Sequence, residues 1–96
     1  DLALVAMLRD GLENLGYNVG NTQSPVIPII VGDGALVMRF WRALFDAGLY
    51  ANCIVPPAVQ PGHELLRTSY MATHTPEHLA RALHLFEAVG KRVGII

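Results

Sequence analysis

Two prolines inside one short β-branched run, Ser24-Pro25-Val26-Ile27-Pro28-Ile29-Ile30-Val31, constrain the fold more than any other feature. The run is short and rich in Val and Ile, so it reads as a strand rather than a helix. Proline donates no ladder hydrogen bond, and a strand carrying Pro25 and Pro28 therefore belongs at the edge of its sheet. Gly32-Asp33-Gly34 breaks the run, and Asp33 can cap a following helix. Val37, Phe40, Trp41, Leu44 and Ala47 form the apolar stripe of that helix, which Gly48 ends. Leu49–Val55 reads as a second strand, closed by Pro56-Pro57. A third strand, Glu64–Met71, alternates Leu66, Thr68 and Tyr70 on one face with Leu65, Arg67, Ser69 and Met71 on the other.

Two further helices flank these elements. Leu2, Val5, Leu8, Leu12 and Leu15 recur at helical spacing over residues 2–15, and Gly16 follows as a left-handed stop. Residues 17–24 read as a polar loop. Thr75 as N-cap, Pro76 at the first helical position and Glu77 in the first turn mark the last helix. Leu79, Ala82, Leu83, Phe86 and Val89 line its apolar face. The predicted architecture is α+β, in the order α-β-α-β-β-α: a two-layer domain with a three-stranded antiparallel sheet and helices on one face. A crossover between parallel strands is right-handed. Placing the third strand between the first two, antiparallel to both, satisfies that rule. It also leaves the proline-bearing strand on an edge and the Arg67 face free of helices.

The 96 residues form one domain, 1–96, large enough for a modest core. Hydrophobic residues are 52% of the chain and charged residues 16%, against about 45–50% and about 25% in soluble domains. So small a domain is not expected to bury that excess, which predicts an apolar surface facing a partner, foremost another part of the same polypeptide. Asp1 leads straight into the first helical run without a Met or a flexible arm, which reads as a cut from a longer protein. A net charge of −1 argues against a nucleic-acid partner, because domains that bind phosphate backbones are normally basic. No apolar run reaches the roughly 18–20 residues of a membrane span, and no signal-peptide pattern opens the chain. Cys53 is the single cysteine, so no internal disulfide forms and a reducing, cytoplasmic setting is expected. Among apolar neighbours it reads as a small core hydrophobe.

Few residues are equipped for chemistry. Arg67 stands mid-strand between apolar neighbours, beside the Pro-rich stretch Pro56–Gly62. Arginine stays charged and presents a planar fork matched to a carboxylate, so Arg67 either receives an anion or pairs with a structural acid such as Glu64 or Asp33. The Pro-rich stretch reads as a stiff connector between two strands. His74 and His78, with Cys53 or His63, have some character of a metal set. His74 precedes the cap at Thr75, however, so the pair lacks clean helical geometry and no metal site is assigned. Trp41 with Phe40 and Phe45 forms an aromatic stripe, chiefly for packing, part of which can meet a missing domain or a second subunit. Lys91 is the single lysine, which limits chemistry that needs an amine.

SPVIPIIVGD, a helix ending in DAGLY, then PPAVQPG, LLRTS and ATHTPEH, in this order and spacing, resemble the C-terminal small domain of the α-oxoamine synthases. These are pyridoxal-phosphate enzymes of the aspartate-aminotransferase fold type, and the resemblance runs from about Leu2 to Ile96. The double proline and DAGLY lean toward serine palmitoyltransferase, SPVIPIIVGD and VGKRVGII toward glycine C-acetyltransferase. The resemblance implies acyl transfer from an acyl-CoA to the α-carbon of a small amino acid. It implies pyridoxal 5'-phosphate held as a Schiff base by a lysine of a large domain absent from this sequence, and a homodimer when the protein is full-length. The cofactor's ligands belong to that large domain, so the chain alone would hold no cofactor and be inert. Lys91 lies beyond the matching motifs and is not expected to be the Schiff-base residue.

The resemblance also assigns roles by position. Arg67 matches the small-domain arginine that contacts the substrate carboxylate. Pro56, Pro57, Ala58 and Val59, within Pro56–Gly62, match a loop at the active-site mouth that moves over bound substrate; its prolines lower the cost of ordering on closure. Val55 stands where some serine palmitoyltransferases carry a second arginine, so that role is missing here. The His74–Thr75 pair begins the family's last helix, in keeping with a structural reading of the histidines. No catalytic residue is assigned to the chain itself. Two other classes compete with this reading. One is a free-standing ferredoxin-like ligand-binding or regulatory module whose Arg67 binds an effector carboxylate; the other is a structural assembly domain.

Overall fold

Leucines four apart stack on one side of a helix, and Leu4, Leu8 and Leu12 form the buried edge of α1 (Leu2–Leu15). This edge is rotated from the expected one. Leu2 is exposed, while Val5 and Leu15 pack only at the margin of the core. A computed structural model of the chain describes residues 2–21, 24–68 and 75–96. Gly16 ends α1 with φ +109°, and the Arg9 guanidinium, through Nη2, donates to the Ser24 carbonyl, tying α1 to the segment that enters the sheet.

The sheet contains β1 (Pro28–Ile30), β2 (Asn52–Ile54) and β3 (Leu65–Arg67). Its order is β1-β3-β2, with β3 antiparallel to both neighbours. All three strands are shorter than the apolar runs suggest, and Pro25 lies ahead of β1. The expected extension over Ser69, Tyr70 and Met71 falls outside the described residues. The Ile30 N–H donates outward to the Asn18 carbonyl at 2.8 Å, whereas the Val31 N–H donates to Glu64 of the neighbouring strand's entry. Successive N–H groups alternate in direction, so the donor that Pro28 lacks would also point outward, and the ladder to β3 loses nothing. Thr68 extends the pairing: its Oγ1 accepts from the Ile27 N–H at 3.3 Å and donates to the Ile27 carbonyl at 2.9 Å.

Capping sets the other two helices. In α2 (Gly34–Asp46), the Asp33 carboxylate accepts from the Leu36 N–H at 2.8 Å. Its buried residues are Val37, Phe40 and Leu44; Ala47 is exposed and stands at the C-cap instead of in the stripe. In α3 (Pro76–Val93), the Thr75 hydroxyl accepts from the His78 N–H at 3.2 Å. Leu79, Ala82, Phe86 and Val89 are buried, as the spacing predicts. Ile29 and Leu66 present the sheet's inner face to this helical layer, both fully buried.

The core closes on a residue assigned to a polar loop. Tyr17 and Val19 are both buried. The Tyr17 ring lies 5.7 Å from Phe40 and 6.0 Å from Phe86, and its hydroxyl donates to the Phe86 carbonyl at 2.5 Å. A Cβ at Gly90 would stand 1.9 Å from that oxygen. Glycine inside a helix costs about 1 kcal/mol relative to alanine, and here the phenol requires it.

Two outcomes follow from this wedge. Gly90→Ala, stabilising in an ordinary helix, should lower stability by about 1–3 kcal/mol through overpacking, read by urea denaturation; a more stable variant contradicts the wedge. Burial raises the Tyr17 pKa above its ordinary value. As pH rises above about 10 the unfolded phenol loses its proton while the folded one keeps it, so stability falls by up to about 1.4 kcal/mol per pH unit. Tyr17→Phe should remove that part of the alkaline loss, seen by comparing urea midpoints of the two proteins at neutral and alkaline pH.

Candidate functional site

Arg67 closes β3, the central strand, and the strand's alternation decides where it points. Leu66 is fully buried toward the helices, while Arg67 is exposed on the opposite, helix-free face. The register sets Pro28 on one side of it and Asn52 on the other. The next row on that face is Ile30, Leu65 and Ile54, so the guanidinium stands at the end of an apolar ribbon. Among the described residues it makes no hydrogen bond or ion pair. Both candidate acids are engaged elsewhere. The Asp33 carboxylate caps α2, and Glu64 Oε1 accepts from the Gly62 N–H at 3.0 Å. An unpaired guanidinium on a rigid strand is chemically suited to take a carboxylate through two parallel hydrogen bonds.

The Pro-rich loop joins β2 to β3. Two turns build it: the Ala58 N–H donates to the Val55 carbonyl and the His63 N–H to the Gln60 carbonyl, each at 3.0 Å. The Pro56-Pro57 bond is cis. Pro56, Pro57 and Ala58 are exposed and Val59 is half-buried. The loop leaves the sheet at the Ile54–Leu65 end, and Arg67 lies two residues beyond Leu65, about 7 Å along the strand. One hairpin therefore carries both features, although among the described residues no hydrogen bond joins them.

Glu64 is the residue that sequence reasoning placed wrongly, as a possible partner for Arg67. It is only 6% exposed and shares the inner face with Leu66, below the start of α2. Its backbone carbonyl accepts from the Val31 and Gly32 N–H groups at 3.0 and 2.9 Å. The available signal was alternation: three residues before Arg67 on one strand, Glu64 must face the other way.

The remaining candidates fall into packing or surface roles. Cys53 is half-buried, with Sγ 3.4 Å from Met38 Sδ, and burial pushes its thiol pKa up. Phe40 is core, but Trp41 is half-buried with Nε1 donating to the Ala51 carbonyl at 3.0 Å. Phe45 lies 5.6 Å from Trp41 and 4.9 Å from Tyr50, forming an exposed aromatic strip. Val55 packs against the core. Lys91 donates to Glu87 at 2.9 Å in an exposed pair on α3, and the ammonium holds the Glu87 carboxyl below the usual range. That pair lies on the surface of α3. His63 and His78 are exposed and His74 lies outside the described residues. Among the described residues no group of three or more His, Cys, Asp or Glu could hold a metal, and no helix is long and apolar enough to cross a membrane.

Comparison with known proteins places this geometry. The model of the aminotransferase class I and II family matches residues 2–86. An 8-amino-7-oxononanoate synthase of Treponema denticola is 44% identical over 88 residues, covering 92% of this chain and 22% of the relative. A serine palmitoyltransferase of Bacteriovorax stolpii is 36% identical over 87 residues, covering 91% and 21%. A solved serine palmitoyltransferase, described with pyridoxal phosphate as its internal aldimine, superposes with a TM-score of 0.91 at 35% identity, covering 98% of this chain and 24% of that one. The Sphingomonas wittichii serine palmitoyltransferase gives 0.88 at 37% identity, covering 98% and 25%. The chain thus spans about a quarter of the length of these relatives. It belongs to the aminotransferase class I and II family, within which these relatives are α-oxoamine synthases.

Proposed function

We propose that the chain is the C-terminal small domain of a pyridoxal-phosphate-dependent acyl-CoA:amino acid C-acyltransferase, and that Arg67 binds the carboxylate of the amino-acid substrate. The observation that carries this reading is the Arg67 guanidinium itself: exposed, unpaired among the described residues, and mounted on the central strand of the helix-free face. The relatives, and the cofactor named with one of them, support the reaction class.

In this reading the division of labour is simple. Pyridoxal phosphate, when bound, supplies an electron sink for chemistry at the amino-acid α-carbon, and its ligands belong to a large domain of the same polypeptide. In this reading no residue of this chain is assigned that duty, and the isolated chain is inert. Arg67 grips the carboxylate with two donors and fixes the rotation of the α-carbon substituents. Orientation of this kind is worth several kcal/mol of barrier. Pro56, Pro57, Ala58 and Val59 form the loop at the mouth of the site, pre-ordered by proline and its two turns, and close over the bound amino acid and acyl-CoA. The full-length protein acts as a homodimer in the cytoplasm.

In the full-length enzyme, Arg67→Ala should raise the amino-acid KM and lower kcat, together costing about 100-fold in kcat/KM, the usual worth of a charged hydrogen-bonded contact. The cofactor's visible absorption band should remain, because its ligands are elsewhere. Steady-state kinetics and an absorption spectrum check both statements. Loss of the band, or unchanged kinetics, would refute the assignment.

A further inference from the structure

We propose that Glu64 is a positioning residue: its buried carboxylate fixes the Gly62 end of the Pro56–Gly62 loop against the Val31–Gly34 turn, and so sets where the loop stands relative to Arg67. The inference rests on the reading of Arg67 and the loop given above, and adds to it a residue that contacts no substrate.

A carboxylate removed from water is strongly unfavourable unless hydrogen bonds replace its hydration. Glu64 is 6% exposed on the core face, where an apolar residue would suit the alternation set by Leu66. No ion pair compensates it among the described residues. Its Oε1 instead takes the Gly62 N–H at 3.0 Å, and Oε2 lies 3.7 Å from where a Cβ would stand on Gly34, the first residue of α2. The carboxylate therefore stands beside the first turn of α2, where the helix dipole favours negative charge.

The backbone of the same residue holds the other side of the junction. The Glu64 carbonyl takes the N–H groups of both Val31 and Gly32. Gly32 has φ +77° and Gly62 φ +92°, and a Cβ on Gly32 would come within 3.2 Å of the Gly62 carbonyl oxygen. One residue thus ties the end of the loop to the β1–α2 turn, where the two segments approach closely. Arg67 is three residues further along the same chain, so the anchor and the anion receptor share one strand.

The test uses the full-length enzyme with five variants. Glu64→Ala removes the acceptor, Glu64→Asp retracts it by one methylene, and Glu64→Gln keeps an acceptor oxygen without the charge. Ala and Asp should each raise the amino-acid KM about tenfold, the worth of one hydrogen bond, while Gln stays within about threefold of the parent. The Asp variant carries the test if Ala does not fold. Combining Glu64→Ala with Arg67→Ala should be no worse than Arg67→Ala alone, because the loop's placement matters only while the arginine holds the substrate. Wild-type KM in Ala and Asp, a Gln variant as impaired as Ala, or full additivity in the double variant overturns the proposal. Should Arg67→Ala prove silent, the substrate assignment fails on its own. Glu64 is then judged by hydrogen exchange at the Gly62 amide: faster in Ala and Asp with parental protection in Gln supports the anchor, and unchanged exchange in Ala and Asp overturns it.

Discussion

The register of β3 against its two neighbours is the constraint on which the other features depend. Leu66 pairs with Ile29 and Cys53, and Arg67 with Pro28 and Asn52. Side chains alternate, so this register sends Glu64, Leu66 and Thr68 toward the helices and Leu65 and Arg67 away from them. A slip of one residue would drive a guanidinium into the core and bring Leu66 out to water. That alternative costs several kcal/mol in desolvated charge alone. Three-residue strands have little ladder to resist a slip, and the resistance comes from both ends. Thr68 locks to Ile27 through its hydroxyl, and Glu64 locks to the Val31–Gly32 turn through its carbonyl.

The apolar excess of the sequence finds only part of its place inside. The buried cluster runs from α1 through Tyr17, Phe40 and Phe86 to the inner face of the sheet. Outside it, beside Leu2, Met7 and Met38 on the helices, remain the row Ile30, Leu65 and Ile54 on the helix-free face and the strip of Phe45 and Tyr50 beside β2, which Trp41 joins to the core. Their settings differ. The row is flat, central and bordered by a charge; the strip is self-stacked, with Arg42 over the Phe45 ring at 5.7 Å. A self-stacked cluster has already satisfied much of its contact area. The row adjoins Arg67, with Ile30 exposed and Leu65 and Ile54 half-buried.

Much of this was legible in the amino-acid order because the signals were local. Asp33 and Thr75 cap as their positions predict, the proline-bearing strand lies at an edge, and the third strand lies between the other two. Each rests on one residue's own chemistry: a side-chain acceptor, a missing N–H, a period of two. The unread parts were set by distant contacts. Tyr17 follows a helix stop in a polar segment, and only the arrival of Phe86 and Gly90, about seventy residues later, makes it core. Leu2 and Leu4 are equally apolar, and the choice between them is made by α3. For the candidate site, Arg67 and its free face were legible from alternation, whereas the engagement of Glu64 required knowing that the loop folds back onto the Gly32 turn.

In the proposed role, the site would gain its precision from sharing a frame. A long arginine side chain loses roughly 2 kcal/mol of rotamer freedom when it is fixed, and an exposed guanidinium that has no partner among the described residues has not lost it to any of them. The backbone beneath it is another matter, held on both sides by ladder bonds and from below by fully buried Leu66. Recognition of a carboxylate by such a residue therefore depends on a fixed origin with a mobile tip, and discrimination requires a second element fixed to the same origin. The loop meets that condition, since its far end joins β3 at Glu64. Any distortion that moved the loop base would have to move the strand as well, against the full pairing of the sheet.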